Sequence, residues 1–406
     1  MTKISSLTRR LLPLYATMFF TGLVFWYPIE KLFMKQIGYT DTTIGLVVTL
    51  IGVTMLVAGI PSGVLADRWS RKGVLMIAVT SLGLSALIGG LSTTPWMYAI
   101  LGVTWGLFYA FYDGVFSSMI YDTVLEEHGN TKDFTKYYGR NQIINSASLI
   151  AGSLISIAMV RVWDLSMLYF ASIPSAVLAI VCLSFFREPT LHEQHGVSFK
   201  QRFRDVGVFL RQKGKVRWII AALFTLIIMQ RSVFELYQLW LIALLIPVVL
   251  FGPISALMQS SIGLGGILAP RLAKKRSRLL IFLGILFIAA VCTTIKQPVV
   301  TIFGLAFMLV AAFTLGVIMD QHLHNELDSH IRAGGMSIAS TLGEVGFFLF
   351  GPLLGYVSTK ATPFGAGWVM VIIALGVIVT AAKVVMSSRE VAIGVNAQLE
   401  ADQYQK

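Results

Sequence analysis

Gly63-Val-Leu-Ala-Asp-Arg-Trp-Ser-Arg-Lys72 is a short charged stretch between two long apolar runs, and a second stretch echoes it: Gly266-Ile-Leu-Ala-Pro-Arg-Leu-Ala-Lys-Lys275. The two agree at five of ten positions and lie 203 residues apart, half of the 406-residue length. Chance similarity between basic loops does not predict that offset, so the chain reads as two related halves. Each residue type in the first copy has a physical use. Gly63 lets helix backbones approach closely. Asp67 suits either the cap of the following helix or the positive end of another. Arg68, Arg71 and Lys72 hold the loop on one side of a membrane and seek acidic partners.

Composition requires that membrane. The chain is 56% hydrophobic and only 13% charged, with a mean hydropathy of +0.77, whereas soluble chains carry about 25% charged residues. The net charge of +12 raises the question of nucleic acid, but the basic residues fall in short connections between apolar runs, with no RNA-binding signature or zinc-ligand cluster. A nucleic-acid partner is therefore not expected. Cys182 and Cys292 sit in separate apolar runs and have no metal or disulfide spacing. The opening Lys3, Arg9 and Arg10 before Leu11 superficially resemble a signal peptide. The apolar run continues to Lys35 without a cleavage site, so it reads as a retained first span.

Since about 20 apolar residues cross a bilayer, the expected fold is an all-α membrane protein with twelve transmembrane helices in two six-helix halves. The expected spans are 11–34, 42–66, 73–92, 95–122, 138–160, 164–186, 216–239, 243–269, 278–295, 298–320, 334–358 and 365–386. Continuous apolar runs favour helices over a membrane barrel. On this layout 26 of the 32 Lys and Arg fall on one side and 5 on the other, with Arg231 inside a span. Both termini are expected in the cytoplasm. The expected organisation is an N-terminal half (1–186), a cytoplasmic linker (187–215), a C-terminal half (216–386) and a cytoplasmic tail (387–406). In the linker, Phe199, Phe203, Val206 and Leu210 recur at helical spacing among basic residues. A basic amphipathic helix on the leaflet and a plain solvated linker both fit this pattern.

The first copy resembles the signature loop of the Major Facilitator Superfamily, Gly-x-Leu-Ala-Asp-Arg-x-Gly-Arg-Lys, with Ser70 in place of the second glycine. Twelve spans, cytoplasmic termini, a long central linker and the degenerate second copy extend the resemblance over the whole chain. It implies two halves around a midplane site and a monomer. It also implies that Asp67 helps to hold a cytoplasmic gate against the start of the eleventh span, near Arg332 to Gly335. By analogy with the same charge network, Asp122 and Arg140 pair across the ends of spans 4 and 5.

Ionisable residues inside spans are costly and imply a partner, a cavity or a role. Asp113 lies in span 4 beside Tyr109, Tyr112 and Phe116; Glu344 lies about ten residues into span 11; Arg231 and Glu235 are one turn apart in span 7. Asp113 or Glu344 is a candidate to carry a coupling proton, with cation binding and neutral packing as the alternatives. Arg231 either pairs with Glu235 along the helix or attracts an anionic substrate group. The resemblance draws the central cavity from spans 1, 4, 7 and 10. Trp26, Trp105, Tyr109, Tyr112 and Tyr237 are the aromatic candidates for its lining, against an ordinary packing role. His322 and His324, two residues apart, do not share a helix face, so no metal site is expected.

No Walker loop and no nucleophile with its base is present, so no enzyme and no cofactor are expected. The leading expectation is a secondary transporter in a bacterial inner membrane, exporting small amphipathic molecules at the expense of protons. Span 4 has no Arg and span 5 no Gly-Pro, both usual in proton antiporters of the resembled family. A uniporter or proton symporter for a nutrient such as a sugar or organic anion is the alternative. A sensor or scaffold that moves no solute is the remote one.

Overall fold

The computed structural model describes residues 6–130, 133–189, 214–273, 275–327 and 329–404. It includes their side chains except those of Ser6, Ile60, Asp67, Asp113, Thr135, 329–337 and 387–404. The linker pattern at 199–210 therefore lies outside the described residues, as do the side chains of Asp67, Asp113 and Arg332.

The described residues form helices in chain order. These are α1 (Ser6–Gly22), α2 (Glu30–Gln36), α3 (Asp41–Arg68), α4 (Arg71–Leu91), α5 (Pro95–His128), α6 (Phe134–Met159) and α7 (Leu165–Ser184). There follow α8 (Lys215–Ala243), α9 (Phe251–Ala273), α10 (Arg276–Cys292), α11 (Pro298–Glu326) and α12 (Ser329–Tyr404). Among them are ten segments long and apolar enough to cross a membrane, so the chain is a multi-pass membrane protein. One such segment, Ile338–Met386, contains a non-helical break at Ala361 and Thr362. Another helix, α10, has 17 residues.

The expected first span is broken. The chain leaves α1 after Gly22, makes a short 3-10 turn at Tyr27–Ile29 and resumes as α2. Pro28 enforces this, because it cannot donate to the preceding turn and disfavours a helical residue before it. A break in an apolar setting frees backbone groups that need partners. The side chain of Ser172 in α7 accepts from Phe25 N at 3.1 Å. Gln238 in α8 accepts from Lys31 N at 2.9 Å and donates to Tyr27 O at 2.9 Å.

The chain divides into two compact units. Unit 1 comprises Met1–His195, Gln238–Ser260 and Gly351–Thr359, and unit 2 comprises Gly196–Tyr237, Ser261–Phe350 and Lys360–Lys406. These do not coincide with the sequence halves, because two pieces of the second half pack inside unit 1. The reason is backbone contact. A Cβ on Gly355 would lie 2.3 Å from Asp41 O, and one on Gly252 would lie 2.3 Å from Ser153 O, so only glycine permits either approach. Polar side chains tie the same places. Ser358 donates to Asp41 at 2.5 Å, Thr42 N donates to Thr359 Oγ1 at 2.9 Å, and Ser153 and Ser255 share a hydrogen bond of 3.1 Å. Asp41 also pairs with Lys35. Nearby, burial pushes the Tyr39 phenol up to about 12, so it remains a donor to Pro95 O at 2.5 Å. All of this lies at the end of unit 1 with few basic residues, opposite the Gly63–Lys72 loop.

Candidate functional site

Among the described residues, unit 2 carries a trio of ionisable side chains in mid-helix. Arg231 and Glu235 project from α8, and Glu344 from α12. Close packing makes their meeting possible. A Cβ on Gly343 would lie 2.6 Å from the Ile227 side chain, and one on Gly346 would lie 2.6 Å from Phe224, so small residues bring α12 against α8. Arg231 Nε then donates to both oxygens of Glu344, at 2.9 and 3.0 Å. Glu235 Oε1 stands 3.9 Å from Arg231 Nη1. The intrahelical pair expected from spacing is thus the looser of two contacts, and Glu344, treated in the sequence as a separate candidate, is the closer partner.

Their exposure is informative. The side chains of Arg231 and Glu344 are each 32% exposed, and that of Glu235 is 20% exposed. Arg231 lies sixteen residues from the start of α8 and twelve from its end, or roughly 24 and 18 Å at 1.5 Å per residue. Charged side chains at such depth face protein or a water-filled cavity rather than lipid.

The signature loop forms a second charge network within unit 1. Arg71 pairs with Asp122 of α5. Arg71 N and Ser70 Oγ both donate to Glu188, at 2.7 Å each, and Ser70 accepts from Gly73 N at 2.9 Å. Lys72 Nζ donates to the terminal carbonyls of Ser184 and Phe186, at 2.6 and 2.9 Å. Two expectations change here. Asp122 is paired with Arg71 and not with Arg140, because α4 starts beside the end of α5, whereas the Arg140 guanidinium lies 5.4 Å from its neighbour's ring at Tyr137. The cap of α4 is Ser70 and not Asp67, since Ser70 has the extended backbone that a cap requires. Among the described residues, a Cβ on Gly63 would find no atom within 4 Å. Arg68 is exposed. Glu188 was overlooked in the sequence, although it is the first carboxylate after span 6 and falls where the chain returns to the basic end.

A third cluster was also missed. Glu30 and Lys31, 3% and 1% exposed, pair at 2.5 Å. Tyr98 donates to Glu30 at 3.3 Å and shares a 2.9 Å hydrogen bond with Tyr169. In the sequence, Lys31 counts merely as one of five basic residues on the sparse side. The signal available was two adjacent ionisable residues after Pro28 inside a run otherwise long enough to span.

The aromatic candidates are mostly core. Trp26 is fully buried, stacked on Tyr169 (centroids 4.8 Å, planes 9° apart) and edge-on to Trp105 at 4.9 Å. Trp105, Tyr112 and Tyr237 are buried as well. Tyr112 is hydrogen-bonded to Thr21 at 3.0 Å. Tyr109, half-buried with its ring 5.2 Å from that of Trp105, is the most accessible of the five.

Comparison with known proteins gives this geometry a context. Over 93–94% of its length the fold is similar to crystal structures of the nucleoside transporter NupG (17% identity, TM-score 0.73, 99% of that chain) and of a D-xylose-proton symporter (14%, 0.65, 96% of that chain). A bacterial homologue of the human lysosomal transporter Spinster, in an inward-facing and occupied conformation, is similar too (14%, 0.72, covering 93% of this chain and 96% of that one). The membrane sensor protein UhpC of Salmonella typhimurium is 27% identical over 179 residues, covering 41% of this chain and 37% of that relative's length. Residues 11–324 match the sequence family described as Major Facilitator Superfamily. With the signature loop, its repeat and the all-helical membrane fold, that match shows that the chain belongs to the Major Facilitator Superfamily.

Proposed function

We propose that this protein is a secondary transporter of a small polar solute, working by alternating access, with Arg231, Glu235 and Glu344 as its substrate or proton site. The observation that carries the reading is the charged trio itself. Three ionisable groups held across two helices at mid-depth, each partly exposed, are costly in lipid and suited to the side of a solute path. Counting α10 and dividing α12 at Thr362 supports a count of twelve crossings, and the bias of basic residues supports both termini on the cytoplasmic side of a bacterial inner membrane.

Proton-coupled symport is the favoured mode. The chain lacks the span 4 Arg and span 5 Gly-Pro of antiporters, and one similar fold is that of a sugar-proton symporter. Export of an amphipathic compound ranks behind it, because four of the five aromatic residues expected to receive a flat ligand are buried. A sensor is the second reading, favoured by the partial match to UhpC. Protein reconstituted in liposomes with a trapped pH dye separates these possibilities, using a panel of nucleosides, sugars, organic anions and lipophilic cations. Solute-evoked proton entry that disappears in Glu344→Gln or Glu235→Gln is the expected result. Solute binding without any movement of solute or protons would replace the transporter by the sensor.

A further inference from the structure

At the basic end of unit 2, one indole is approached by cations from two helices. Trp218 is the fourth residue of α8. The Arg217 guanidinium carbon lies 5.4 Å from its ring centroid, and Lys383 Nζ, from α12, lies 5.8 Å away. Arg217 and Lys383 are exposed and Trp218 is half-buried. Of the two carboxylates that α11 carries toward this end, Asp320 and Glu326, the second is already paired with Lys215 at 2.7 Å. Among the described residues neither Arg217 nor Lys383 makes an ion pair, so two like charges share a ring without a counter-ion. The first turn of α8, with its free N–H groups and positive dipole end, adds to the same local field.

The apolar side of the site is equally open. Val379 and Met386, four residues before and three after Lys383, share its helix face and are 53% and 51% exposed. An anion without a tail would satisfy the cations and leave this face uncovered. A ligand with a phosphodiester and an acyl chain meets both needs, and tryptophan sits at the depth where they join.

We propose that Arg217, Trp218 and Lys383 form a binding site for the headgroup of an acidic phospholipid, with its chain along Val379 and Met386. The proposal does not rest on the transport reading. The test places the whole protein in phosphatidylcholine nanodiscs containing bromine-labelled phosphatidylglycerol or, in parallel, bromine-labelled phosphatidylcholine. Quenching of Trp218 is read as the difference between wild type and Trp218→Phe. The expected result is preferential quenching by phosphatidylglycerol. Its apparent affinity should fall about fivefold in Arg217→Gln or Lys383→Gln and further in the double variant, and should be kept in Lys383→Arg. If Arg217→Gln fails to fold, Lys383→Gln and Lys383→Arg still give the comparison. Equal quenching by the two lipids, or a preference that survives the double substitution, overturns the site. A second arm adds inorganic phosphate against chloride at matched ionic strength. Unchanged quenching supports the lipid headgroup, whereas selective displacement by phosphate assigns the site to a soluble anion and overturns the lipid proposal.

Discussion

Two ion pairs in this molecule have the same chemistry and opposite surroundings. Glu30 and Lys31 are sealed inside unit 1, 3% and 1% exposed, with Tyr98 on the carboxylate and Gln238 on the backbone. Arg231 and Glu344 in unit 2 have almost a third of each side chain open. Burial makes the first pair a structural commitment, because either charge left alone would be stranded in a low-dielectric core. Openness leaves the second pair weak as a brace, and in the proposed function it is this pair that meets the solute or the proton. Adjacency in sequence does not tell a sealed pair from an open one.

The comparison is most easily broken at its buried member. Lys31→Met should cost about 3–5 kcal/mol by stranding Glu30, read as a fall in thermal stability in detergent, and the pair of changes Glu30→Gln with Lys31→Met should recover much of it. A single variant as stable as wild type would mean that the pair does not hold unit 1 together. Next in size is Gly355→Ala, which forces a methyl into Asp41 O and should destabilise by about 1–3 kcal/mol. Gly63→Ala, with nothing to meet, is its control and should be near neutral in the same melt.

At the open member the prediction inverts. Glu344→Gln should change stability by about 1 kcal/mol or less, yet lower the apparent affinity for solute or the proton-linked uptake about tenfold or more, the equivalent of about 1.4 kcal/mol. A variant that melts early but transports normally would assign Glu344 to packing. The smallest effect belongs to the loop. Ser70→Ala removes the cap of α4 and one hydrogen bond to Glu188, for a loss of about 1 kcal/mol. Asp67→Ala does not remove that cap, and unfolding curves of the two variants should differ accordingly.

The fold was largely legible because its signals are local and repeated. Apolar run length specifies a membrane helix, and the echo of Gly63–Lys72 at Gly266–Lys275 is visible in the sequence itself. The site was legible only as candidates. The sequence showed Arg231, Glu235 and Glu344 as charges in spans, but placed Arg231 with Glu235 because i,i+4 spacing is visible and an inter-helix approach through Gly343 is not. The family resemblance matched Asp122 with Arg140 rather than Arg71 and offered the aromatic side chains of α5 to a cavity, whereas most of them are buried in the core. The first span reads as one continuous run despite Pro28, and the structure breaks it after Gly22. That its freed groups are taken up by Ser172 and Gln238 could be known only from helices distant in sequence.

The sequence by itself thus determined the solvent, the helical class, the pseudo-repeat and the distribution of basic residues, all of which depend on sums over local segments. Tertiary structure alone decided which charges are buried, which meet, and that pieces of the second half pack with the first. Those outcomes depend on backbone approach at a few glycines and on partners dozens to hundreds of residues apart, and one-dimensional spacing carries no record of either.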